Sequence, residues 1–156
     1  MTFQLAQVNV ARLAAPLDSP QLADFVAALD EVNAMADRAP GFVWRLQTEE
    51  GNATSVSAFE WDAGDSAGVI TNLSVWVDAD RLSDFVFGTG HLEVLRRRRD
   101  WFLPVREAYL ACWWLPAGIV PSTQDAEQRI RHIRERGPTE HAFSLRTRYP
   151  APVRAH

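Results

Sequence analysis

The densest run of chemically capable side chains extends from Phe85 to Trp101. It holds an aromatic helix end, glycines at 88 and 90, His91, four consecutive arginines at 96–99 and the indole of Trp101. An imidazole titrates near neutral pH, so His91 could act as general base toward a phenol or an enol. It could equally ligate a haem iron through one nitrogen, with aromatic rings around the macrocycle and arginines on its propionates. A third reading makes it a structural histidine at a helix break. The four arginines cannot all serve one ligand, because consecutive helical residues from first to last sweep roughly 300°. Arg98, seven residues beyond His91, falls nearest the same face and is the guanidinium expected to point inward. Trp101 is expected either in the core or as a wall of the site.

Amides supply the other half of a candidate site. Gln7 and Asn9 share a strand face with Phe3 and Leu5, and a buried amide must find partners, so this pair could project into a polar pocket. Solvated amides on an edge strand are the alternative. Asn72, within VITNLSVWVD, is a third amide that could orient a substrate. The candidate site is therefore His91 as acid/base, with Gln7, Asn9, Asn72, Arg98 and Trp101 as substrate contacts. No metal site is expected.

Other motifs are weaker. Gly64-Asp65-Ser66-Ala67-Gly68 matches the nucleophile-elbow pattern, but the residues after it are strand-like, whereas an elbow serine needs a helix to follow. Gly88-Thr89-Gly90 lacks the third glycine of a dinucleotide loop. All 16 basic residues are arginine, which excludes Schiff-base, pyridoxal-anchor and phosphate-loop chemistry that needs a lysine amine. The lone Cys112 can form no internal disulfide. The glycosylation-type triplets at Asn52 and Asn72 are expected to be accidental.

Composition sets the frame. A chain of 156 residues with 47% hydrophobic content is one domain's worth, able to bury roughly two-thirds of its unfolded surface. Net charge is −4, with arginines concentrated after residue 91 and acids before it. Those halves are expected to neutralise each other, and a pI near 5.5 argues against nucleic acid as a partner. No window approaches the roughly 20 apolar residues of a membrane helix, and the N-terminal stretch does not read as a leader, so a cytoplasmic protein is expected.

The elements that must position these side chains follow from periodicity. Residues 3–12 alternate as a strand, and Ser19-Pro20 opens a helix whose apolar face is Leu22, Phe25, Val26, Leu29, Val32 and Met35. Ala39-Pro40-Gly41 ends it. Strands are expected at 42–47, 55–61 and 69–78, the first two forming a hairpin. Asp78-Ala79-Asp80 starts a second helix that breaks at glycines 88 and 90 and resumes toward Trp101 and Phe102. Residues 109–115, apolar on both faces, read as a central strand. Ser122 and Asp125 open a helix with the stripe Ala126, Ile130 and Ile133, and a tail follows that returns Phe143, Leu145 and Tyr149 to the body.

This order is the β-α-β-β-α-β of a ferredoxin-like α+β fold, an antiparallel sheet with helices on one face and residues 122–156 as a C-terminal extension of a single domain spanning 1–156. The other face would be bare, and a second copy is the simplest cover.

The blocks from Gly90 to Phe102, from Cys112 to Gly118 with Pro121-Ser122, and Gly137-Pro138-Thr139 with Ala142-Phe143 resemble those of a bacterial family of unknown function. That family is grouped with the antibiotic biosynthesis monooxygenase-like dimeric α/β barrels. The resemblance implies a homodimer whose sheets meet face to face. It implies a range of activities: cofactor-independent oxygenation of small phenolic or polyketide-like substrates, haem-dependent chemistry, isomerisation, or ligand binding without reaction. Two classes therefore stand: a small-molecule enzyme of monooxygenase-like type, needing no cofactor unless haem is used, and a non-catalytic ligand-binding or structural homodimer.

Overall fold

The computed structural model describes residues 2–47, 58–88 and 96–152. Its four strands are β1 (Phe3–Arg12), β2 (Phe42–Arg45), β3 (Val69–Trp76) and β4 (Leu110–Pro116). Its α-helices are α1 (Ala23–Arg38), α2 (Ala79–Val86), α3 (Arg98–Trp101) and α4 (Thr123–Arg136). The sheet order is β2-β3-β1-β4, with every neighbouring pair antiparallel. That is the ferredoxin-like arrangement expected from the order of elements. No described helix is long and apolar enough to cross a membrane.

Strand positions differ from expectation in three respects. β1 is central, paired along its length with β3 and β4, so its amides do not sit on a sheet edge. β4 is an outer strand; among the described residues its far side meets only a two-bond bridge in which Cys112 and Phe143 exchange backbone hydrogen bonds of 2.7 and 2.9 Å. Its apolar character on both faces reflects cover above and below, and says nothing of lateral neighbours. No strand forms at residues 58–61. There Phe59 adopts a left-handed backbone (φ 58°) and Glu60–Asp62 make a 3-10 turn, so β2 pairs directly with β3. The rest of that expected strand, with the residues expected to join it to the strand at 42–47, lies outside the described residues.

The two sheet faces are covered by different helices, so helices do not lie on one face alone. Ala6, Val8, Leu73, Val75, Ala111 and Trp113 turn toward α4 and Phe59. Alternation then sends Leu5, Gln7, Asn9, Asn72, Ser74, Trp76 and Cys112 to the face that carries α1 and α2. α4 of the same chain packs on the face expected to be bare.

Local signals explain the helix ends. Ser122 and Asp125 form a complete capping box at α4, and the Asp78 carboxylate accepts the Arg81 N–H at α2. Ser19 does not cap α1. Its hydroxyl donates to Pro16 O instead, and residues 20–22 form a 3-10 turn before α1 begins. Val26, expected on the inner face, is exposed. Gly41 (φ 84°) permits α2 to dock, since a Cβ there would lie 2.5 Å from the Cβ of Arg81.

The tail is latched to α4 through histidines. Arg129 Nη1 donates to His141 O at 2.6 Å and lies 2.9 Å from His141 Nδ1, while His141 Nε2 lies 2.8 Å from Gln128 Oε1. His132 lies beside it with the two rings tilted, their centroids 4.7 Å apart, and bonds the Thr139 hydroxyl. Burial first, then Arg129 and His132, lower the pKa of His141. A depressed folded pKa means that the unfolded chain binds the proton more readily. The latch's contribution is therefore present above the ordinary imidazole range and lost as pH falls through the lowered value. Melting scans from pH 8 to 5 should show wild type losing stability where His141→Gln does not; parallel curves would remove the latch.

Candidate functional site

On the face under α1 and α2, a line of polar side chains crosses the two central strands. Asn9 Nδ2 donates to Gln7 Oε1 at 3.2 Å, and Gln7 Nε2 donates to Asn72 Oδ1 at 2.6 Å and to Ser74 Oγ at 2.8 Å. Trp76 Nε1 also donates to Ser74 Oγ, at 2.9 Å. The line exists because Gln7 is opposite Ser74 and Asn9 opposite Asn72 in the β1–β3 register, and alternation aims all four to one side. Gln7 and Ser74 are buried, Asn9 is half-buried and Asn72 is exposed, so the line runs from the interior to solvent.

Aromatic clusters flank it. On one side Trp76 stacks on Phe85 at 5.3 Å and meets Phe42 edge-on, in a cluster with Leu5, Leu82 and Cys112. On the other, Trp101 packs with Phe25 and Phe102 at 5.4 and 6.2 Å, beside Leu13 and Ile70. The Trp101 indole N–H is buried and has no partner among the described residues. Burial raises the Cys112 thiol to about 12, so it stays protonated and is a packing residue.

Sequence-based expectation is met unevenly. Gln7, Asn9 and Asn72 come together in one network. Arg98 is the one arginine of 96–99 that is not exposed, but its guanidinium lies over the Tyr109 ring at 5.2 Å, and the structure shows no contact between it and the amides. Arg97 pairs with Asp24 and Asp100 and covers the Trp101 ring. Trp101 belongs to a flanking cluster, and its indole makes no hydrogen bond to the amides among the described residues. His91 lies outside the described residues, and so does the haem reading, which needs it as iron ligand. Among the described residues, no group of three or more His, Cys, Asp or Glu could hold a metal ion.

Ser74 and Trp76 join this face without being among the residues the sequence points to. Their signal was present in the Asn-Leu-Ser triplet at 72–74: two polar residues at a spacing of two on an otherwise apolar strand share one face. The elbow motif is a turn. Ser66 Oγ donates to Ala63 O at 2.5 Å and β3 follows directly, so the hydroxyl is spent on local backbone.

A separate charged cluster sits on the opposite side. Arg134 clasps Asp62 at 2.7 and 3.1 Å, Arg12 joins at 2.6 Å, and Arg12 Nε and Arg134 Nε donate to the carbonyls of Asp62 and Ala108. Trp61 lies against Arg131 and Arg134 and donates to Glu127. With Asp62 shared between Arg12 and Arg134, this cluster acts as a clamp.

The fold and this face define an α+β domain of ferredoxin-like order with an amide-lined sheet face between aromatic clusters. Within that class, the chain belongs to the family described as "Domain of unknown function (DUF3291)", whose profile matches residues 4–156. No curated protein matches. Among solved structures, the chain is similar to SnoaB, a cofactor-independent oxygenase from Streptomyces nogalater, at 18% identity and a TM-score of 0.44, over 75% of this chain and 95% of that one. It is similar to PA3566 from Pseudomonas aeruginosa at 11% and 0.47, over 74% and 94% of the two chains. It is also similar to NE2512, a protein of unknown function from Nitrosomonas europaea, at 11% and 0.49, over 78% and 97%. Likeness at this level transfers neither residue roles nor a reaction.

Proposed function

We propose that the protein binds a small planar aromatic molecule bearing a carbonyl or phenolic oxygen on the amide face, and acts on it as a cofactor-independent, monooxygenase-like enzyme. The observation that carries this reading is the hydrogen-bonded line from Asn9 to Trp76, open at Asn72 and flanked by aromatic rings. Flat apolar walls hold a ring system, and a few placed polar groups set its orientation.

The chemistry assigned to this chain is proton removal by His91 from a phenol or an activated methylene, with the resulting anion held by the amides. Such an electron-rich anion can reduce dioxygen itself. In balance, a methylene and O2 give a ketone and water: one oxygen atom becomes the carbonyl oxygen on that carbon, the other leaves as water with the two methylene hydrogens, and the substrate supplies all four electrons.

Gln7 is the hub of the line, with three hydrogen bonds, so Gln7→Leu keeps approximate volume but leaves Asn9, Asn72 and Ser74 without their shared partner. Each buried polar group left unpaired is worth about 1–3 kcal/mol. Titrating hydroxylated and keto naphthalenes and anthracenes by tryptophan fluorescence, with oxygen uptake followed alongside, should show at least a roughly tenfold weaker affinity in the variant. A wild-type protein that binds none of them, or a variant that binds as tightly, would overturn the reading.

A further inference from the structure

The hydrogen-bond inventory at Ser74 says more than that the face is polar. Two nitrogen donors converge on one hydroxyl oxygen: Gln7 Nε2 at 2.8 Å and Trp76 Nε1 at 2.9 Å. The indole N–H can only donate, and a hydroxyl oxygen has two lone pairs and one hydrogen. Gln7 Oε1 accepts from Asn9 Nδ2, and its Nε2 also donates to Asn72 Oδ1. Both lone pairs of Ser74 are therefore engaged, and its own hydrogen has no acceptor among the described residues. The Asn72 oxygen accepts from Gln7, and its amide nitrogen has no partner among the described residues.

From this we infer that Ser74 is a dedicated hydrogen-bond donor to an acceptor oxygen of the ligand, and so a specificity-determining residue. This rests on the ligand site proposed above and narrows its substrate class to molecules that present a carbonyl, phenolate or enolate oxygen at that point. An ordinary serine can turn its hydroxyl to suit a donor or an acceptor; this one cannot. A ligand that offers only an N–H or a C–H there would leave the buried donor unpaired, which is how sites built around a hydrogen bond reject analogues that lack it. Trp76 has two roles in this arrangement: its ring forms part of the apolar wall, and its N–H fixes the polarity of Ser74.

The test is an affinity ratio between two planar molecules of nearly equal shape, 9-fluorenone, which carries a carbonyl, and fluorene, which does not. Wild-type protein should bind fluorenone at least about tenfold more tightly, a difference of roughly 1.4 kcal/mol. In Ser74→Ala that ratio should fall toward one through loss of fluorenone affinity, with fluorene binding little changed. Ser74→Thr, which keeps the hydroxyl, should retain the preference. A packing role would move both ligands together and leave the ratio intact, so an unchanged ratio in Ser74→Ala overturns the assignment while leaving the ligand site standing. Equal wild-type affinity for the two molecules also overturns it. Should Ser74→Ala fail to fold, Trp76→Phe frees one lone pair of Ser74 and is expected to lower the ratio; an unchanged ratio there counts against the inference. Wild-type protein that binds neither molecule removes the site and the inference together.

Discussion

Asp62→Asn is expected to lower stability by about 3–5 kcal/mol, the loss typical of removing one partner from a buried ion cluster. For a chain of this size that corresponds to a fall in Tm of roughly 10 °C. The Asp62 side chain is only 5% exposed and neutralises two guanidiniums at once, Arg134 at 2.7 Å and Arg12 at 2.6 Å. An asparagine of the same size leaves both positive charges facing each other across a neutral amide. Arg12 lies at the end of β1 and Arg134 on α4, so the clamp joins the sheet to the helix that covers its far face. Loss should therefore be seen first as faster amide exchange in α4.

The acid side of the same residue gives a second readout. Burial alone would raise the Asp62 pKa, but hydrogen bonds and charge from Arg134 and Arg12 outweigh it and hold the carboxyl below its ordinary value. With a depressed folded pKa, the stabilisation is present above the unfolded carboxyl value near about 3.9 and is lost as pH falls through the folded one. Wild type should lose this increment in acid, and the asparagine variant should have none to lose. Equal melting temperatures at pH 7 would show that the cluster contributes no stability.

His91→Ala is expected to reduce turnover by about 10²–10⁴-fold, the usual contribution of a positioned general base. Ligand affinity should change little, because the amide line and the aromatic flanks are intact. The low-pH limb of kcat/KM should disappear with the imidazole, an effect that mere loss of packing does not produce. Full turnover in the variant would end the catalytic assignment of His91. Tight binding in wild type without any oxygen uptake would instead identify a ligand-binding protein, with the amide face correct and the reaction wrong. The two experiments separate recognition from chemistry, since Gln7 acts on the first and His91 on the second.

Much of the frame was legible residue by residue. Alternation at 3–12 and 69–76 and the capping pairs at Asp78 and Ser122 act over a few residues, and those local terms survive in the folded chain. The errors arose where a pattern has two physical sources. Phe59 and Trp61 alternate like strand residues, yet one is buried in a left-handed turn and the other is half exposed against arginines. The apolar stretch at 110–116 announces cover on both faces, which a central strand and an outer strand under two layers satisfy equally. Arg98, expected to point inward on the face of His91, lies over the Tyr109 ring, because helical phase says which way a side chain points and not what it meets.

The sequence by itself determined the type and order of the elements, the absence of lysine chemistry, and the presence of three amides on strand faces, because propensity, capping and composition are properties of short stretches. Only the tertiary structure decided that Gln7, Asn9, Asn72 and Ser74 form one network, since residues 65 positions apart become neighbours through strand register alone. It also decided that α4 packs on the face expected to be bare, because a helix with a narrow apolar stripe can dock on either side of a sheet. Here the stripe of Ala126, Ile130 and Ile133 packs into the face lined by Val8 and Trp113, and the Asp62 clamp holds it there.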